Sequence, residues 1–361
     1  MKQSETGIKQ SSSRRSFLKK SAIAAGATLG SGLLAKSKPA FGQDQSSSDS
    51  LTKGDVAILQ LLLAAEIIET DLWQQYNELG GVDATGGTSQ PYITALQGLD
   101  GDMPQYISDN TDDEISHVAF LKAYLASKGH KPIDLGRFAT LQGSQASAAK
   151  KVGRLTNLMQ LSVDTSWWTR YRSKQNPDLG ATFPQAVPSL NVGQHPAIPT
   201  SDSDFADTNH VQAIANTAGF HFGFIEQAGT SLYATMSQRV TSSEVLRITT
   251  SIGGSEIMHF QVWHDKAGNA KPLTDGSLTF VDLTTGQPES LQANLIMPEP
   301  CEFIRGLPEV AIIRPTGAGQ IDATGAIKGF IADGLFIGQT KEFIQLVLQL
   351  AHEADEAKRR P

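Results

Sequence analysis

Four stretches of the chain repeat apolar residues every three or four positions, the spacing of an amphipathic helix. The first opens at Thr52, with Asp55 three residues on as a helix-start signal, and runs without proline to Leu79. The second covers about Met103 to Lys128 and the third about Thr208 to Gln238. The fourth, capped by Thr241, Ser242 and Ser243, continues to about Lys266. Ionisable groups interrupt every one of these apolar seams. The seams read Leu59, Leu62, Glu66, Glu69, Trp73, Tyr76; then Ile107, Asn110, Glu114, His117, Leu121, Tyr124; then Phe222, Glu226, Gly229, Tyr233, Met236; and last Ile252, Glu256, His259, Trp263.

A carboxylate on a buried face is costly unless it is paired or coordinated, and carboxylates with imidazoles on four helices compensate one another best around cations. Glu114 with His117, and Glu256 with His259, form two Glu-x-x-His spacings, which put one oxygen and one nitrogen donor on the same helix face. With 15 Glu and 8 His in 361 residues, chance placement gives about a third of one such match. The distribution of glutamate carries more weight. Between Glu78 and Glu244 the only glutamates are Glu114 and Glu226, both in the middle of an apolar seam. Glutamate favours exposed helix surface, so a stretch that withholds it everywhere else is not using it for solubility.

The composition suits a soluble globular protein, with 39% hydrophobic and 19% charged residues. The single cysteine, Cys301, excludes an intramolecular disulfide and any cysteine-rich zinc or iron site, so a metal has to be held by His, Asp and Glu. The net charge of −7 hides an uneven split. Residues 1–42 carry eight Lys/Arg and one Glu, leaving 22 basic and 36 acidic side chains, a net of −14, on the rest. An acidic body of this kind repels nucleic acid and anionic lipid. The basic N-terminus has its own pattern. Residues 13–20, Ser-Arg-Arg-Ser-Phe-Leu-Lys-Lys, precede a mild apolar run from Ser21 to Ala35, and Ala40-Phe41-Gly42 offers a small-x-small cleavage site. This resembles a twin-arginine signal peptide, which implies the twin-arginine export machinery as a partner, export of a folded protein, a mature chain from near Gln43, and a periplasmic or secreted location. The run is too short and too rich in glycine for a stable membrane anchor. Residues 43–50 read as a polar linker.

One Glu on the first helix, Glu-x-x-His on the second, one Glu on the third and Glu-x-x-His on the fourth resembles the ligand set of the ferritin-like di-iron and di-manganese carboxylate bundles. More narrowly, Ala65 to Trp73, Asp113 to Leu121 and Phe224 to Tyr233 resemble the first three helices of exported bacterial ferritin-like domain proteins related to desiccation-related proteins. The resemblance covers about residues 51–268 and implies an all-α, ferritin-like four-helix bundle with a long crossover between its second and third helices. It implies a centre of two Fe ions, with Mn as the alternative. Glu66 and Glu226 would each bind one ion, Glu114 and Glu256 would bridge, and His117 and His259 would each give a nitrogen. Glu69, one step along the seam from Glu66, is placed to replace it or to support it. Tyr233, seven residues after Glu226, is placed to hydrogen-bond to a ligand, and Trp73 takes the matching place after Glu66. Oxygen-rich coordination with two imidazoles suits Fe or Mn.

Two insertions depart from a minimal bundle, about 80–101 and 129–207, the second ending in a stretch rich in Pro, Gly, Asn and Ser that reads as an ordered loop or lid. A C-terminal extension, 269–361, has extended pieces at Leu278–Val281 and Val310–Ile313 and closes on an amphipathic helix from about Thr340 to Arg359. It is expected to pack on the bundle or to make a homo-oligomer contact. His210, His221 and His264 lie off the seams and are expected at the surface or in support of the site. Trp167, Trp168, Arg170 and Tyr171 read as packing over a bundle end, with a binding patch as the alternative. For function the same resemblance implies two options. One is an oxidoreductase acting on dioxygen or peroxide, as a ferroxidase or a manganese-catalase-like enzyme. The other is a non-catalytic bundle with a stress-protective, desiccation-type or interaction role. With no Cys-x-x-Cys pair for an electron relay, rubrerythrin-type peroxide reduction is disfavoured.

Overall fold

The computed structural model describes residues 50–84, 89–171, 183–284, 298–299, 310–311 and 322–359. The expected export signal, the linker up to residue 49, residues 172–182 of the lid and the end of the second extended piece lie outside them. Four long helices carry the fold: α1 (Lys53–Gly80), α3 (Met103–Ser127), α5 (Thr208–Ser237) and α6 (Ser243–Ala267). Their ends follow local chemistry. The Thr52 hydroxyl accepts from Asp55 N at 3.0 Å, Asp207 caps α5 through Asn209 N, and Ser242 caps α6 through Val245 N. Pro104 sits in the first turn of α3, where its missing N–H costs nothing.

α1 packs along α3, and α5 along α6. At one end of the bundle Asp55, in the first turn of α1, accepts from Thr241 N at 2.7 Å in the α5–α6 turn. Lys128, just past α3, pairs with Glu244 in the first turn of α6 at 2.7 Å. At the other end Asn269, after α6, donates to the Leu99 carbonyl ahead of α3 at 2.9 Å. The two inner helices in sequence, α3 and α5, therefore run parallel, and the chain must cross the length of the bundle between them. This is the all-α bundle with a long crossover.

The 80–101 insertion contains a short helix, α2 (Gln90–Leu96), with Pro91 in its first turn. Its Tyr92 donates to the Ala197 carbonyl in the crossover at 2.8 Å. The crossover itself holds a two-residue ladder, β1 (Leu141–Gln142) with β2 (Gly153–Arg154), and the single turn α4 (Ser166–Arg170). It is pinned to α1. The Asp71 carboxylate accepts from Leu155 N, Thr156 N and the Thr156 hydroxyl at 2.7–3.0 Å, and Arg154 pairs with Glu78 at 2.6 Å with both side chains buried. Trp167, Trp168 and Tyr171 are buried packing residues. Trp167 lies so close to α5 that a Cβ on Gly223 would meet its ring at 2.3 Å, so glycine makes that approach possible.

After α6 a hairpin joins β3 (Leu273–Asp275) to β4 (Leu278–Phe280), and a further short pair joins β5 (Pro298–Glu299) to β6 (Val310–Ala311). Two helices close the chain, α7 (Ala323–Ala332) and α8 (Lys341–Asp355), the latter capped by Thr340. α8 packs on α1 and α7 on α5, so the described part of the extension covers the bundle. Among the described residues no helix is long and apolar enough to cross a membrane.

Candidate metal centre

The ionisable seam residues of all four helices meet inside the bundle. Glu66, Glu114, His117, Glu226, Glu256 and His259 are all buried. One donor atom each from Glu66, Glu114, His117 and Glu256 lie within 4.8 Å of one another, and so do atoms from Glu114, Glu226, Glu256 and His259. Glu114 and Glu256 belong to both groups, while Glu66 and Glu226 belong to one each.

The histidines face the carboxylates through Nδ1. His117 Nδ1 lies 3.0 Å from Glu114, 3.3 Å from Glu66 and 3.4 Å from Glu256. His259 Nδ1 lies 3.2 Å from Glu114 and 3.4 Å from Glu226. Their outer nitrogens are held by the opposite helix: His117 Nε2 meets Ser255 Oγ at 3.0 Å, and His259 Nε2 meets Asp113 at 3.1 Å. Asn110 donates to Glu114 at 3.1 Å and to Glu226 at 2.9 Å, and its own oxygen accepts from Trp263 Nε1 at 3.0 Å. Tyr233 donates to Glu66. Glu69 is buried one turn along α1, outside both groups, with one oxygen free of hydrogen bonds.

Burial and mutual repulsion dominate the electrostatics. Burial, helped by the charge of Glu114, pushes Glu66 up to about 8. Burial and then neighbouring carboxylates drive Glu69 and Glu256 well up, and burial also raises Glu226. Burial acts on Glu114 in the same sense, but the adjacent imidazoles of His117 and His259 outweigh it and hold it at about 2. Burial disfavours the charged imidazole of His117, yet its bonds to Glu114 and Glu66 win and lift it to about 10; His259 is lifted likewise by Glu226, Asp113 and Glu114. The imidazolium protons thus stand where positive charge is wanted, between four carboxylates.

The donor set fits cations better than it fits protons. Both oxygens of Glu256, one of Glu226 and Nδ1 of His259 are buried and make no hydrogen bond, although buried polar atoms normally have partners. A Cβ on Gly229 would lie 2.9 Å from Glu256, so the glycine in the third seam leaves room for that carboxylate.

The neighbours that hold the histidines were not legible as site residues. Asp113 and Ser255 each precede the Glu of a Glu-x-x-His spacing, but only the register of α3 against α6 aims each at the other helix's histidine. Asn110 stood on its seam, four residues before Glu114, and that polar break was a signal. Of the off-seam histidines, His210 is half-exposed against Asp275 at 2.7 Å. His221 and His264 are buried among aromatic rings rather than at the surface.

No curated protein and no solved structure gives a significant match to the chain. A family model does: the ferritin-like domain matches residues 54–269, the span that holds all four long helices and every residue of the cluster, and the chain belongs to that family.

Proposed function

We propose that the cluster holds two iron ions, or manganese in their place, and performs redox chemistry on dioxygen or peroxide. The carrying observation is the convergence of four glutamates and two histidines, with several donor atoms buried and unpaired, at the centre of a ferritin-like bundle. Glu66 and Glu226 would serve one ion each, Glu114 and Glu256 stand within reach of both, and each histidine would give Nδ1. When bound, such a pair supplies reversible one-electron steps and a Lewis acid for oxygen ligands.

The chain's own part is to present those donors. Ser255 spends its hydroxyl proton on the Ile252 carbonyl at 2.8 Å, so its oxygen accepts from His117 Nε2–H and leaves the Nδ1 lone pair facing inward. Asp113, which accepts only, fixes the same tautomer on His259. Asn110 and Tyr233 orient Glu226 and Glu66 by donating to one oxygen of each. An open groove of about 580 Å³ between α3 and α6, lined by His117, Phe120, Arg247 and Ser255, reaches the edge of the His117 ring and is where a small oxidant would approach.

The test is elemental analysis after anaerobic loading, with peroxide and dioxygen consumption followed on the same samples. Wild type should hold about two ions per chain and Glu114→Ala fewer than about one, since a shared ligand is lost. Less than about half an equivalent of Fe or Mn in wild type sinks the dinuclear reading. Bound metal without turnover points to the non-catalytic alternative.

We also propose that residues 1–42 direct twin-arginine export of the folded protein, on the strength of the Arg14-Arg15 pattern and the weakly apolar run after it. A reporter fused behind these residues should leave the cytoplasm, and Arg14→Lys with Arg15→Lys should retain it; export of the double variant at the wild-type level contradicts the assignment.

A further inference from the structure

Beneath α7 the molecule keeps a void that its side chains do not fill. A cavity of about 30 Å³ lies between α1, α5 and α7, walled by apolar side chains such as Leu61 and Ile68 of α1, Ile225 of α5 and Ile327 of α7. Glu69 is the one polar side chain in its lining, and it is buried with one carboxyl oxygen that makes no hydrogen bond. Gly229 of α5 lines the cavity too. A Cβ there would stand 2.9 Å from Glu256 Oε2, so the glycine brings the cavity up to a carboxylate whose two oxygens are both without hydrogen bonds.

The residues that match the ferritin-like domain end at 269, and α7 comes after them. The C-terminal extension therefore makes the roof. An imperfect fit of α7 would leave a void anywhere along its contact. It does not account for an opening at a glycine that borders Glu256, or for a buried carboxyl left without a partner at the wall.

Size and polarity decide what such a space takes. One water needs about 10–15 Å³ of it, so the cavity suits a molecule of two heavy atoms. A buried water also needs about two to four polar partners, and hydrogen peroxide, with an O–H on each oxygen, needs no fewer. The lining offers the Glu69 carboxyl alone, and each hydrogen bond left unmade in the interior costs about 1–3 kcal/mol. Dioxygen asks for none, and apolar cavities stay dry and take up apolar guests. The groove at His117 is of another kind, lined by Glu244, Arg247, Ser251 and Ser255, and it suits solutes carried by water. It opens between α3 and α6, on the side of the cluster away from α1 and α5.

We propose that the cavity under α7 is a dioxygen-binding site that supplies the cluster past Gly229, and that it takes dioxygen in preference to hydrogen peroxide. This deepens the reading of the cluster as a metal centre and rests on it.

The test has two arms. In the first, the metal-free full chain with labelled Ile and Leu methyl groups is placed under dioxygen pressure, with nitrogen pressure as the diamagnetic reference, and methyl relaxation is measured by NMR. Dioxygen is paramagnetic, so the Ile327 and Leu335 methyls should relax faster than those of Ile107 and Ile214, which are comparably buried but do not line the cavity. Ala326→Leu, which puts a larger side chain into the space, should remove that excess, and Ala65→Val fills it from α1 as a second variant. No excess at Ile327 and Leu335 in wild type overturns the proposal, whether or not the protein binds metal.

In the second arm iron-loaded chains are compared at equal metal content. Filling the cavity should lower dioxygen consumption about tenfold, the scale on which an apolar pocket rejects a poor fit, and leave hydrogen peroxide consumption unchanged. Equal loss of both rates, or an unchanged dioxygen rate in a variant that has lost the relaxation excess, overturns it. Wild type that shows the excess but binds no metal, or binds it without turnover, upholds the dioxygen site and sinks only the redox reading of the cluster.

Discussion

Each histidine of the cluster is fixed by the residue that precedes the other helix's glutamate. Asp113 and Ser255 occupy equivalent places, yet one is a carboxylate and the other a hydroxyl, so the two halves of the site differ in basicity. The difference extends inward, where Glu66 takes a phenol from Tyr233 and Glu226 takes an amide from Asn110. Removing an orienting partner of a metal ligand costs about 10–100-fold in affinity. Asp113→Ala should therefore weaken an ion held at Glu226 and His259 by that factor, while Ser255→Ala weakens one held at His117. A competitive metal titration that resolves two sites checks this, and equal weakening of both ions by either variant contradicts it. The candidate ligands stood out in the sequence because each broke an apolar seam. Asp113 and Ser255 did not, because both lie off the seams at ordinary helix-surface positions and acquire their partner only across the α3–α6 contact.

The four long helices were readable almost to the residue, since the apolar periodicity runs through each of them and no proline interrupts it beyond the first turn. α1 spans Lys53–Gly80 against a reading of Thr52 to Leu79, and α6 starts at Ser243 behind the expected serine cap. The crossover was not readable in the same way. Its backbone is held by side chains far away in sequence, above all Asp71 on α1, and a short window carries no trace of such bonds. The end of α7 is tied to the crossover too, where Ser162 N donates to the Asp333 carbonyl at 2.8 Å and Asn157 N to Leu335 at 2.7 Å. There the Asp333 carboxyl is pushed up to about 8 by burial and by the charge of Asp164, and one of its oxygens has no hydrogen bond. An acid whose folded-state pKa lies above its unfolded value binds more protons when folded, so its contribution is present below about pH 4 and is lost as pH rises to about 8. Asp333→Asn removes that loss. Its melting temperature should match wild type near pH 4 and exceed it by a few degrees at pH 9, for about 1–2 kcal/mol after solvent screening. Parallel pH profiles for the two proteins contradict this account.

At the scale of the whole molecule the cluster joins all four long helices in a single set of contacts. α1 and α5 give one ligand candidate each, and α3 and α6 give two each. Without cations, that junction keeps carboxylates out of water with several atoms unpaired, which costs free energy at the centre of the bundle rather than supplying it. Helix-to-helix packing elsewhere, through Leu59, Leu62, Trp73, Phe222 and Trp263, has to offset that cost. Cations held there would reverse the sign, because they would bind the folded arrangement and the unfolded chain offers no comparable site. At a free metal concentration about 100 times the dissociation constant, the gain is about 2.7 kcal/mol per ion, and for a chain of this size that corresponds to roughly 4 °C in melting temperature per ion. Chelation should therefore lower the thermal midpoint by about that much, and re-addition of Fe²⁺ or Mn²⁺ should restore it. Calorimetry with and without chelator measures it. The discriminating control is Glu114→Ala with Glu256→Ala, which removes both shared carboxylates: its midpoint should not respond to metal, and an undiminished response would place the binding elsewhere in the molecule.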